Sequence, residues 1–77
     1  MDFDERRRAK WAAGRAERGL TPNDPFQGNP VLEALGETPD LANYVEQSVH
    51  EGRIPEDVGR ELIAQVASMD MVISLYR

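Results

Sequence analysis

The side chains best equipped for chemistry in this chain are cations set close together. Arg6, Arg7, Arg8 and Lys10 fall within five positions, Trp11 follows at once, and Arg15 comes one helical turn later. A guanidinium presents a planar fork of N–H donors that matches phosphate oxygens, and an indole ring can stack on an unpaired base. This is chemistry of binding. Chemistry that breaks bonds finds few parts. There is no Cys, which removes a thiolate nucleophile, a disulfide and a thiolate metal site. His50 is the only His, so the common His-based zinc sites cannot be assembled. Ser48, Ser68 and Ser74 fall in helical stretches away from an evident base. No glycine-rich phosphate loop and no GxSxG is present. The chain is therefore expected not to be an enzyme, with no cofactor, no metal and no small-molecule substrate.

The opening MDFDERRR, with Trp11 further along, resembles the N-terminal arginine-rich helix of lambdoid phage antitermination N proteins, which also begin with Met-Asp and a nearby Arg triplet. The likeness covers the first dozen residues. Trp11 stands closer to the Arg cluster than in that family, the second basic cluster is missing, and Asp2, Asp4 and Glu5 add acids. The resemblance implies RNA binding through Arg6–Trp11. The residues alone favour a solvated helix whose Arg side chains pair with nearby acids.

Charge divides the chain in two. Residues 1–20 carry a net +2 and residues 21–77 a net −7, which together make the −5 of the whole. Overall acidity argues against nonspecific coating of nucleic acid. Glu46, Glu51, Glu56, Asp57 and Glu61 form an acidic band. They lack the twelve-residue spacing of a calcium loop and read as a solvated face. A phosphate-mimicking role for these acids is a third reading, behind protein docking and nucleic-acid binding. His50 reads as a capping or surface residue at a helix C-terminus.

The elements that must carry these groups are helical. Residues 2–18 are expected as a helix, with Asp2 as N-cap, Asp4 and Glu5 in the first turn and Gly19 closing it. Its Ala-rich apolar face is thin, which suggests an arm that projects or folds across one end. Residues 21–29 hold Pro22, Pro25 and Gly28 and read as a linker anchored by Phe26. Asn29-Pro30 starts a short helix over 30–35, closed by Gly36, and Thr38-Pro39 repeats the start signal for a helix over about 39–51. There Leu41, Tyr44, Val45 and Val49 define a buried face. A last helix over about 55–76 carries the seam Val58, Leu62, Val66, Met69, Ile73 and Tyr76, broadened by Ile63, Val72 and Leu75. A strand over 71–76 is the alternative for its end.

The expected fold is all-α: an antiparallel helix pair, 39–51 against 55–76, with the short helix 30–35 and the basic N-terminal helix 2–18. The domains are an arm (1–20), a linker (21–29) and an acidic body (30–77). The seam carries more apolar surface than one partner helix covers. A protein interface is expected at Met69, Val72, Ile73, Leu75 and Tyr76, with Arg7, Trp11 and Arg15 as a second contact. The expected role is a small adaptor or modulator that forms a homodimer or docks on a larger protein. No membrane span is present, and a charged N-terminus argues against a signal peptide, so a cytoplasmic site is expected. Arg outnumbers Lys eight to one, which points to a GC-rich bacterial or phage genome.

Overall fold

Three helices form, and both ends of the first two have an identifiable local cause. The computed structural model describes residues 1–77 and is all-α, with α1 Phe3–Glu17, α2 Pro30–His50 and α3 Glu56–Ser74. The Glu5 N–H donates to Asp2 Oδ1 at 2.8 Å and so caps α1. At the other end Gly19 takes a left-handed φ of 72°. The Leu20 N–H then donates to Arg15 O at 2.9 Å and the Gly19 N–H to Ala16 O at 3.0 Å. These are the paired bonds of a Schellman cap, which need a residue free of a Cβ at C′. Gly52 closes α2 in the same way at φ 75°, with Arg53 N–H donating to Ser48 O at 2.8 Å. Beside that cap the Glu51 carboxyl lies below its ordinary pKa. It accepts from the Gln47 amide at 2.7 Å and from Arg53 Nε at 2.9 Å. The last turn of α3 ends in irregular backbone, so the alternative strand over 71–76 is absent.

The two helices expected over 30–35 and 39–51 are a single one. Asn29 starts it by accepting from the Val31 N–H at 2.9 Å, and it continues through Gly36 and Pro39 to His50. Gly36 has no positive φ and therefore closes nothing. Pro39 lacks the N–H that would reach the Leu35 carbonyl. The Thr38 hydroxyl approaches that same carbonyl at 3.3 Å and offers a replacement donor. It is also within hydrogen-bond distance of the Asp70 carboxylate on α3, so one proton serves two acceptors.

α2 and α3 pack as an antiparallel hairpin. Near one end Gly59 of α3 lies against Val45 and Val49 of α2, and towards the other Thr38 meets Asp70. The less exposed positions trace the seam between them. On α2 they include Val31, Leu35, Thr38, Ala42, Val45 and Val49, and on α3 Gly59, Ile63, Val66, Asp70 and Ile73. Both rows alternate steps of three and four, the spacing of helices packed side by side. The expected seam through Val58, Met69 and Tyr76 is thus displaced by about one residue, as is the expected buried face at Leu41 and Tyr44. All five of those side chains are exposed. A glycine, a threonine and an aspartate occupy places that the sequence pattern assigns to larger apolar groups. Val66, 6% exposed, is the one large apolar side chain that is buried.

α1 packs against neither α2 nor α3. It is held by the linker that follows it. The molecule is correspondingly open, with a radius of gyration of 15.1 Å, where a compact chain of this length has about 11–12 Å. No helix is long and apolar enough to cross a membrane.

Candidate interaction surface

The displaced seam determines what the hairpin shows to solvent. Val58, Met69 and Val72 each stand one residue before a seam residue of α3, at Gly59, Asp70 and Ile73. Leu41 and Tyr44 stand one residue before Ala42 and Val45 on α2. One residue is about 100° of helix rotation, so each group points sideways from the seam. The two helices run antiparallel, and an equal offset on each therefore brings both sets to the same side of the hairpin. Tyr76 continues the α3 row at its end. The result is one broad apolar face built from both helices. Ser48 and Gln65 are its uncharged polar members, no cation falls on it, and acids line its margins, with Glu37 and Asp40 beside Leu41 and Tyr44 and Glu61 beside Gln65. A shallow groove beside it is lined by Glu37, Thr38, Asp40, Leu41 and Tyr44.

Four of the five residues expected at an interface are open to solvent: Met69 is 47% exposed, Val72 56%, Leu75 76% and Tyr76 74%. Met69, Val72 and Tyr76 share the face just described. Leu75 points to the outer side of α3. Ile73 is half-buried and lies in phase with Gly59 and Val66, which makes it a seam residue. Leu41 and Tyr44 belong to the face but were assigned to the core by the sequence pattern. Their signal was ambiguous, since a 3–4 spacing shared with Val45 and Val49 does not say which edge of a wide stripe meets the partner helix. Leu32 and Met71 are exposed on the opposite side, each one residue after a seam residue.

The expected second contact is resolved differently. Arg15 is only 3% exposed. Its Nε donates to Thr21 O at 3.3 Å, and one Nη2 reaches the carbonyls of Asp24 and of Pro25. Its guanidinium also lies 5.2 Å above the centre of the Trp11 ring. Arg15 is therefore the internal strut of the arm and is withdrawn from any outer partner. Its charge is satisfied by backbone carbonyls, because guanidinium donors are what a carbonyl-lined turn needs. Trp11 is engaged in the same unit. Its Nε1 donates to Pro22 O at 3.2 Å, and its ring stacks on Phe26 with centroids 6.0 Å apart. The turn that makes this possible is fixed by Asp24, whose carboxylate accepts from the Thr21 N–H at 2.7 Å.

Arg6, Arg7, Arg8 and Lys10 remain on the surface. Arg7 pairs with Asp4 at 3.3 Å, and Arg6 lies 5.8 Å from the centre of the Phe3 ring. Consecutive residues on a helix diverge by about 100°, so Arg6, Arg7 and Arg8 fan over more than half of its circumference. The triplet does not converge on one phosphate-sized site.

No protein family, no curated protein and no solved structure matches this chain.

Proposed function

We propose that this chain is a non-catalytic protein-interaction module, an adaptor or modulator that docks through the apolar face of its α2–α3 hairpin. The observation that carries this reading is the exposure of Met69 and Val72 on α3, whose neighbouring edge is already committed to α2, with Tyr76 exposed just past the end of that helix. Large apolar side chains gathered on one face, free of cations, are the composition of an interface centre. Leu41 and Tyr44 extend the face across both helices, and Tyr44 and Tyr76 supply rings with polar tips, suited to an interface rim.

The test uses the tagged full chain as bait in bacterial lysate, with and without nuclease, beside a Met69→Glu/Val72→Glu variant. Both substituted side chains are exposed, so the hairpin is expected to keep its helical signal. A protein captured by the wild type, resistant to nuclease and lost from the variant, supports docking through this face. Identical capture by both baits removes the reading.

A second reading is a nucleic-acid-binding accessory protein that uses the arm. Arg6, Arg8 and Lys10 have no carboxylate within ion-pair distance, which favours it. Such binding weakens steeply with added salt, whereas apolar docking does not. Replacing Arg6, Arg7 and Arg8 by Ala would abolish it and leave the hairpin face untouched.

A further inference from the structure

We infer that the partner on the hairpin face is a second copy of this chain, two hairpins closing face to face into a four-helix bundle with two-fold symmetry. The inference rests on the docking reading above and names its occupant.

Surface area argues first. The chain exposes 6445 Å² at a mass of 8.7 kDa. A compact monomer of that mass exposes about 4,700 Å². The surplus is about 1,700 Å² per chain. A stable interface takes about 800 Å² from each partner, and obligate homodimers take more. The surplus exceeds that need and is shared between the hairpin and the detached α1.

Stability argues second. A helix pair with Val66 as its one buried large apolar side chain has little core. Chains of this size commonly need a disulfide, a metal or a second subunit. Cys is absent, so the first cannot form. Association through the hairpin face would bury Leu41, Met69 and Val72 beside Leu62 and so complete a core.

The chemistry of the face separates a copy from other occupants. The chain's own α1 offers Ala, Arg and Lys, and its Trp11 is already committed to Phe26 and Pro22. Its Ala-rich face is thin, and Phe3 is its one other large apolar side chain, so it offers the hairpin no row of large apolar groups. A foreign partner is commonly selected by complementary charges, and the charges here, Glu37, Asp40 and Glu61, stand at the margins and leave the centre of the face uncharged. Leucine, methionine, valine and tyrosine on one face are matched by the same set on another, as an isologous contact requires.

Sedimentation equilibrium of the full chain tests this at tens of micromolar. The expected mass is twice the 8.7 kDa of one chain. Met69→Glu and Val72→Glu should each weaken association at least roughly thirty-fold, as for loss of a central interface residue. Met71→Glu, at a more exposed position on the opposite side, should leave the dimer intact. The wild-type melting temperature should rise with protein concentration, as it does when folding and association are coupled. That readout holds even where a variant fails to fold. A single-chain mass with full helicity overturns the inference, as does a melting temperature independent of concentration. So does dissociation by Met71→Glu equal to that by Met69→Glu. A monomer that still captures a protein through this face would refute self-association and leave the docking reading standing. A dimer that captures no foreign protein would support self-association and assign the docking face to the second copy alone.

Discussion

Thr38 carries two duties on one hydroxyl. It replaces the donor that Pro39 withholds from Leu35, and it ties α2 to α3 through Asp70. Thr38 is buried and Asp70 half-buried, so removing the hydroxyl leaves a carboxylate short of a partner in a poorly solvated place. Thr38→Val keeps the shape and deletes the bond. It should lower unfolding stability by about 1–3 kcal/mol, read as a shift of the urea midpoint at fixed protein concentration. Thr38→Ser retains the hydroxyl and should lose much less. Equal losses would show that the methyl group matters and the bond does not. The sequence concealed this pair because Thr-Pro is a strong local signal for a helix start. Local chemistry alone could not show that Asp70, thirty-two residues away, would draw the hydroxyl into a continuing helix. Asp2, Asn29, Gly19 and Gly52 were legible for the opposite reason, since each acts on backbone groups within a few residues of itself.

At the scale of the element, Gly59 sets how closely α3 approaches α2. A Cβ built there would intrude on Val49 Cγ2 and stand 3.6 Å from Val49 Cβ and 4.0 Å from Val45 Cγ1. Valine in a helix is held to one preferred rotamer and cannot swing away. Gly59→Ala would gain about 1 kcal/mol of helix propensity. Overpacking opposes it by about 1–3 kcal/mol. A net loss is expected, and it should shrink when Val49→Ala opens the space, which a double-mutant cycle on urea midpoints measures. Additive losses would mean that the two residues do not meet. Pro39 predicts the opposite sign. Pro39→Ala restores the missing N–H in the middle of α2 and should raise stability by roughly 1–3 kcal/mol, seen as a higher melting temperature with greater helicity. A fall would show that α2 needs the proline's bend to follow α3. The helical class was readable from periodicity, whereas the continuity of α2 through Gly36 and Pro39 was not. The seam was not, because the apolar stripe on α3 is wider than one contact and the true line runs through Gly59 and Asp70. The same width is why Met69, Val72 and Tyr76 are exposed as expected, while Ile73 lies in the seam and Leu41 and Tyr44, expected in the core, are exposed.

The whole molecule consists of two units that share only the chain between them. One is α1 wrapped by residues 20–26, and the other is the hairpin, with no packing of α1 on either hairpin helix. The sequence pointed to this separation through its change of charge and its Pro-rich linker. It did not reveal that the linker folds back, since that depends on Arg15 finding three carbonyls in a turn set by Asp24. The separation makes the units thermodynamically distinguishable. Trp11 is the only Trp and lies in the first unit, whereas most helical signal comes from the second. Phe26→Ala removes the ring stacked on Trp11 and should weaken the arm by about 1–3 kcal/mol, for the lost pair and its partly buried area. Tryptophan emission should move to the red at low temperature and its thermal transition should broaden downwards. The far-UV transition of the hairpin should stay within experimental error of the wild type, because Phe26 belongs to neither hairpin helix. Equal displacement of both transitions would mean that the arm and the hairpin fold as one unit. In that case the arm, and not a second copy, would become the first candidate to cover the face of Met69 and Val72.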